Sequence, residues 1–70
     1  MKGSVKNTLK TYRVMAEMTQ ETLALRVGVS RQTINAIEQG KYLPSLELAL
    51  KLGKVFKVPI ETLFTFEEAS

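Results

Sequence analysis

The side chains best equipped for chemistry here are amides and one guanidinium: Arg31, Gln32, Asn35 and Gln39, all within residues 31–39. At about 100° per residue, with Arg31 at 0°, Asn35, Gln39 and Gln32 fall at about 40°, 80° and 100°, and Ala36 at about 140°. Thr33, Ile37 and Ile34 fall at about 200°, 240° and 300°. A helix over 31–39 therefore has an apolar inner face and an outer face of uncharged amides around one small residue. A carboxamide presents a donor and an acceptor in one plane, which matches the N6/N7 edge of adenine. Arg31 suits a bidentate contact to guanine, and Ala36 suits a thymine methyl. A face that served only solubility would carry Lys and Glu. The chemistry this pattern supports is hydrogen-bond reading of base edges.

Other chemistries are poorly supplied. The sequence has no Cys, His or Asp, so disulfides, thiolate metal sites and an imidazole base are excluded. Its seven Glu have no catalytic spacing, and there is no Gly-rich phosphate loop. An enzyme, a metal, a cofactor and a small-molecule ligand are not expected. No apolar run approaches the roughly 18 residues of a membrane span, and no signal-peptide stretch is visible. The expectation is a cytoplasmic protein with no membrane partner.

Net charge is +3, unevenly spread. All ten Lys and Arg lie in residues 1–57 against four Glu, a net +6; residues 58–70 hold three Glu and no base, a net −3. A basic body of this size attracts polyanions.

The elements that would position these groups are read from punctuation and periodicity. Seventy residues make one domain. Residues 1–4 read as a disordered N-terminus, 5–66 as the domain and 67–70 as an acidic end. Val5, Leu9, Tyr12 and Ala16 recur at helical spacing, predicting a first helix over 4–16. Thr19 caps a second helix over 20–27 that turns Leu23, Ala24 and Val27 inward, and Gly28 stops it in the left-handed conformation. Val29 plugs the turn, Ser30 caps a third helix over 31–39, and Gly40 closes it. Ser45 opens a largely apolar fourth helix, wet along Glu47, Lys51 and Lys54. Pro59 opens a short fifth over 60–64. No segment shows convincing β alternation. The fold expected is all-α, five short helices with a helix-turn-helix, whose second helix enters the major groove.

Residues 19–40, TQETLALRVGVSRQTINAIEQG, resemble the helix-turn-helix of phage Cro and repressor-type regulators, the xenobiotic-response-element family. The resemblance extends through KYLPSLELALKLGKVFKVPIETLF and covers residues 9–64. It implies a lambda-repressor-like domain and a sequence-specific regulator of transcription, a repressor in the first instance, bound to double-stranded DNA. It assigns DNA contacts to Gln20, Ser30, Arg31, Gln32 and Asn35, and backbone contacts to Lys41 and Tyr42. Ala36 and Gln39 join them from the wheel. It also implies a buried or half-buried Arg13–Glu38 pair tying the first helix to the third. Glu17 and Lys57 stand where the family usually has glycine, which predicts a modest left-handed strain or a different cap. Gly53 replaces a more usual alanine, which suits close helix packing.

One such domain reads few base pairs, so a two-fold homodimer is expected, with its interface at Leu63, Phe64 and Phe66, joined by Val55 or Leu48. The competing reading is a protein-interaction module, such as an antitoxin or anti-repressor built on the same fold.

Overall fold

The computed structural model describes residues 2–69; Met1 and Ser70 lie outside the described residues. Five helices are present: α1 (Leu9–Met15), α2 (Gln20–Val27), α3 (Arg31–Glu38), α4 (Leu46–Phe56) and α5 (Ile60–Leu63). They are joined by two strands, β1 (Gly3–Asn7) and β2 (Phe64–Glu68), in an antiparallel two-stranded sheet. The fold is therefore mostly helical but not strictly all-α.

The helices begin and end by repeated local chemistry. Thr19, Ser30 and Ser45 sit in extended N-cap conformations and accept from the backbone N–H three residues on, at 3.0, 3.1 and 3.1 Å. Each hydroxyl satisfies an amide that the first helical turn leaves free. At the other ends, Glu17, Gly28, Gly40 and Lys57 take positive φ of 57°, 77°, 75° and 58°. The next residue's N–H then reaches back to the helix: Met18 to Arg13 O, Val29 to Ala24 O, Lys41 to Ala36 O and Val58 to Gly53 O, at 2.9–3.0 Å. This is the Schellman stop, and Met18, Val29 and Val58 add its usual apolar contact by packing against the core. The expected strain at Glu17 and Lys57 is thus present, since both keep the left-handed conformation without being glycine.

The core is built from every helix: Leu9, Leu23, Ala24, Val27, Ile34, Ile37, Leu48, Leu52 and Leu63. Gly53 is also buried, and a Cβ there would stand 2.8 Å from the Val58 carbonyl oxygen. Its lack of a side chain lets the segment after α4 fold closely back onto that helix.

Expectations about the first helix, the chain ends and the dimer surface are corrected by the strands and by the core. The first helix starts at Leu9, not residue 4, and Val5 pairs across strands with Phe66. Gly3 and Ser4 belong to β1 and are no loose end, and β2 carries the domain past residue 66 through the acidic Glu67 and Glu68. Leu63 is fully buried in the core and is no candidate for a dimer surface; Leu48, at 8% exposure, is excluded for the same reason.

Thr8 joins the two ends: its N–H donates to Leu63 O at 2.9 Å and its hydroxyl to Thr62 O at 2.9 Å. Asn7 turns the corner into α1, its Oδ1 accepting from Leu9 N at 3.1 Å.

Candidate nucleic-acid interface

The outer face of α3 is assembled from the capped N-terminus upward. Ser30 is exposed and fixes the first turn through Thr33 N. Arg31 and Gln32 follow, both exposed, and Asn35 and Ala36 lie half-buried one turn on. Gln39 is exposed at the C-cap. Ile34 and Ile37 point into the core, so the helix cannot rotate about its axis without exposing them. Arg31, Gln32, Asn35, Ala36 and Gln39 therefore share one accessible surface. Lys41 and Tyr42 are exposed on the connection leaving α3.

Beneath this face lies a charged anchor. Arg13 Nε donates to Glu38 Oε2 at 2.7 Å, and its Nη2 donates to Oε1 at 3.2 Å, a two-pronged pairing. The third nitrogen, Nη1, donates to Met18 O at 2.8 Å. The side chains are only 12% and 4% exposed. One guanidinium thus ties α1, the α1–α2 turn and α3 together, and holds Glu38 inside beneath the amides of α3.

Gln20, half-buried in the first turn of α2, is aimed at the same place. Its Nε2 lies 3.0 Å from Glu38 Oε1 and 3.2 Å from Asn35 Oδ1. Gln39 Nε2 lies 3.3 Å from Asn35 Oδ1. The sequence brought Gln20, Asn35 and Gln39 to one surface but gave no sign that they bond to each other. The phosphate contact assigned to Gln20 would need its side chain to release one of these bonds.

Asn7 is a residue that sequence reasoning missed. Its Nδ2 donates to Ile37 O at 2.8 Å, near the end of α3. The strand β1 thereby holds the C-terminal end of the helix whose N-terminal end Ser30 caps. Its signal was an asparagine before a Thr-Leu helix start, and its partner lies 30 residues on.

A second surface is largely apolar. Val5, Leu43, Pro44, Leu46, Ala49, Ile60, Glu61 and Phe64 line a shallow groove. Leu43, Leu46, Leu50 and Phe66 are 61%, 68%, 52% and 50% exposed, while Phe64 is half-buried. Val55 is half-buried against the core.

A family model described as helix-turn-helix matches residues 9–63. An uncharacterised HTH-type transcriptional regulator of Methanocaldococcus jannaschii is 58% identical over 64 residues, covering 91% of this chain and 97% of that protein. The cryptic phage CTXphi transcriptional repressor RstR of Vibrio cholerae is 36% identical over 62 residues, covering 89% of this chain and 56% of that one. The crystal structure of the restriction-modification controller protein C.AhdI from Aeromonas hydrophila superposes with a TM-score of 0.71 at 30% identity, covering 77% of this chain and 82% of that one.

Proposed function

The chain belongs to this helix-turn-helix family, in its xenobiotic-response-element branch, and is a DNA-binding transcription regulator; from that premise we propose that it recognises specific double-stranded sites through α3 in the major groove and acts as a repressor in the cytoplasm. The observation that carries this reading is the outer face of α3, where Arg31, Gln32, Asn35 and Gln39 stand on the Arg13–Glu38 anchor. Arg31 and Gln32 would meet base edges. Ser30, Lys41, Tyr42 and the first-turn amides of α2 would grip phosphates and set the register. No helix among the described residues is long and apolar enough to cross a membrane.

The active form is a two-fold dimer on two half-sites about one DNA turn apart. Its surface is not the buried Leu63 but the groove of Leu43, Leu46 and Phe64, with Leu50 and Phe66 beside it. A continuous apolar area of this kind is poorly placed in water on a solitary domain. The same area is what a protein-interaction module would use, and the test separates the two. Selection from a random double-stranded library at near-physiological salt should enrich an inverted repeat. One short site would remove the dimer and keep the DNA reading. Salt-sensitive, sequence-independent binding alone would overturn specific recognition.

A further inference from the structure

The bonds around Gln20 have a polarity, and that polarity decides what Asn35 can read. Glu38 is the fixed point. Its carboxylate is paired with Arg13 and accepts without donating. The Gln20 atom 3.0 Å from it must therefore be the NH2 group, not the carbonyl. The same Nε2 has a second hydrogen, and it lies 3.2 Å from Asn35. The Asn35 atom that faces it must be an acceptor, so the amide carbonyl Oδ1 is turned toward α2. Gln39 Nε2, at 3.3 Å, supplies a further donor to that oxygen from the next turn of α3. With Oδ1 so engaged, what Asn35 has left to offer a partner is its Nδ2, which donates in no side-chain hydrogen bond found among the described residues.

We infer that Gln20, oriented by Glu38, holds Asn35 with its carbonyl inward and its NH2 outward, so that Asn35 selects an acceptor-only base edge, guanine's first, and discriminates against adenine. This rests on the proposed reading of DNA by α3. A free asparagine favours adenine, because adenine offers N7 as acceptor and N6–H as donor, and both amide atoms are used. Here the atom that would accept from N6–H is committed within the protein. Guanine presents N7 and O6, both acceptors, and thymine O4 is a single one. An adenine opposite Asn35 leaves its N6–H facing another N–H group. Gln20 is thus a positioning residue for specificity. The buried ion pair is connected to base choice through two amides, without touching DNA itself.

The test is selection from a random double-stranded library with the full chain and four variants: Asn35→Ala, Gln20→Leu, Gln39→Ala and the double variant Gln20→Leu/Gln39→Ala. Asn35→Ala identifies the base pair that Asn35 reads, as the position whose preference it erases. At that pair the unaltered chain should favour guanine over adenine by ~10-fold. The double variant should bring adenine to within about twofold of guanine, since Oδ1 is released. A uniform loss of affinity leaves the ratio unmoved, so a lost phosphate contact is not mistaken for this effect. Gln39 is exposed, and its single variant carries the test if Gln20→Leu fails to fold, moving the ratio part of the way. Adenine favoured by the unaltered chain would overturn the inference, as would a ratio that the foldable variants leave unchanged. A motif enriched normally but with no position dependent on Asn35 would overturn it while leaving the proposed function standing. No motif at all would overturn that function, and this inference with it.

Discussion

At Glu38 three donor groups converge on one carboxylate: Arg13 Nε, Arg13 Nη2 and Gln20 Nε2. Arg13→Ala would leave that carboxylate, 4% exposed, with a single neutral partner. Breaking a buried pair from one side costs more than the pair is worth, because the remaining charge keeps its desolvation penalty. A loss of about 2–3 kcal/mol is expected, read as a lower denaturant midpoint at unchanged slope. An unchanged midpoint would show that the pair adds nothing to stability. Gln32 sits on the opposite footing, being exposed and outside this network of bonds. Gln32→Ala should alter stability by less than about 0.5 kcal/mol while changing the bases enriched in a selection. The pairing of Arg13 with Glu38 and the outward set on α3 were both legible beforehand, the first from family resemblance, the second from the wheel. The bonds of Gln20 to Asn35 and Glu38 were not, because they depend on how far α2 stands from α3, and no spacing along the chain encodes that distance.

Among the elements, four helix ends use one left-handed stop, but only two of them use the residue suited to it. Gly28 and Gly40 adopt positive φ freely, whereas Glu17 and Lys57 carry a Cβ into it. Glu17→Gly and Lys57→Gly should each stabilise the fold by about 0.5–1 kcal/mol, the relieved strain less the extra freedom glycine gives the unfolded chain. The reverse exchange at Gly28 or Gly40 should cost about 1 kcal/mol. A built Cβ there meets nothing within 4 Å, so that cost is one of backbone alone. Thermal midpoints of the four single variants would check all of this. Helix ends were readable because caps and stops are local: Thr19, Ser30, Ser45, Gly28, Gly40 and Pro59 each declare themselves within a turn. The strands were not. Gly-Ser-Val-Lys-Asn has one apolar residue and no visible alternation, and Val5 happens to lie four residues before Leu9, which mimics a helix. Phe64-Thr65-Phe66 does alternate, and is the one sign of β structure that could have been weighed.

For the molecule as a whole, the exposed apolar groove of Leu43, Leu46 and Phe64 is the proposed joint of the dimer. Leu46 is 68% exposed, so Leu46→Glu should leave the monomer folded. It should convert a dimeric sedimentation mass to a monomeric one at tens of micromolar; if both chains sediment alike, that face is not the joint. The sheet brings together residues 3–7 and 64–68, with Ala69 N donating to Lys2 O at 2.9 Å beyond it. This pairing has a kinetic meaning. The α2–α3 hairpin closes over a short turn, while β1 must wait for a partner some 60 residues away. Local contacts form early and distant ones late, since the entropy of closing the long loop precedes any reward from it. Val5→Ala should therefore speed unfolding and leave the refolding rate nearly unchanged, which stopped-flow chevrons would show; a slowed refolding arm would place the sheet in the nucleus instead. Asn7, on the same late strand, is what bonds the end of α3. A growing chain still lacking residues 64–68 would then carry α3 without this last brace, and the end of that helix would be held in place only as synthesis of the segment is completed.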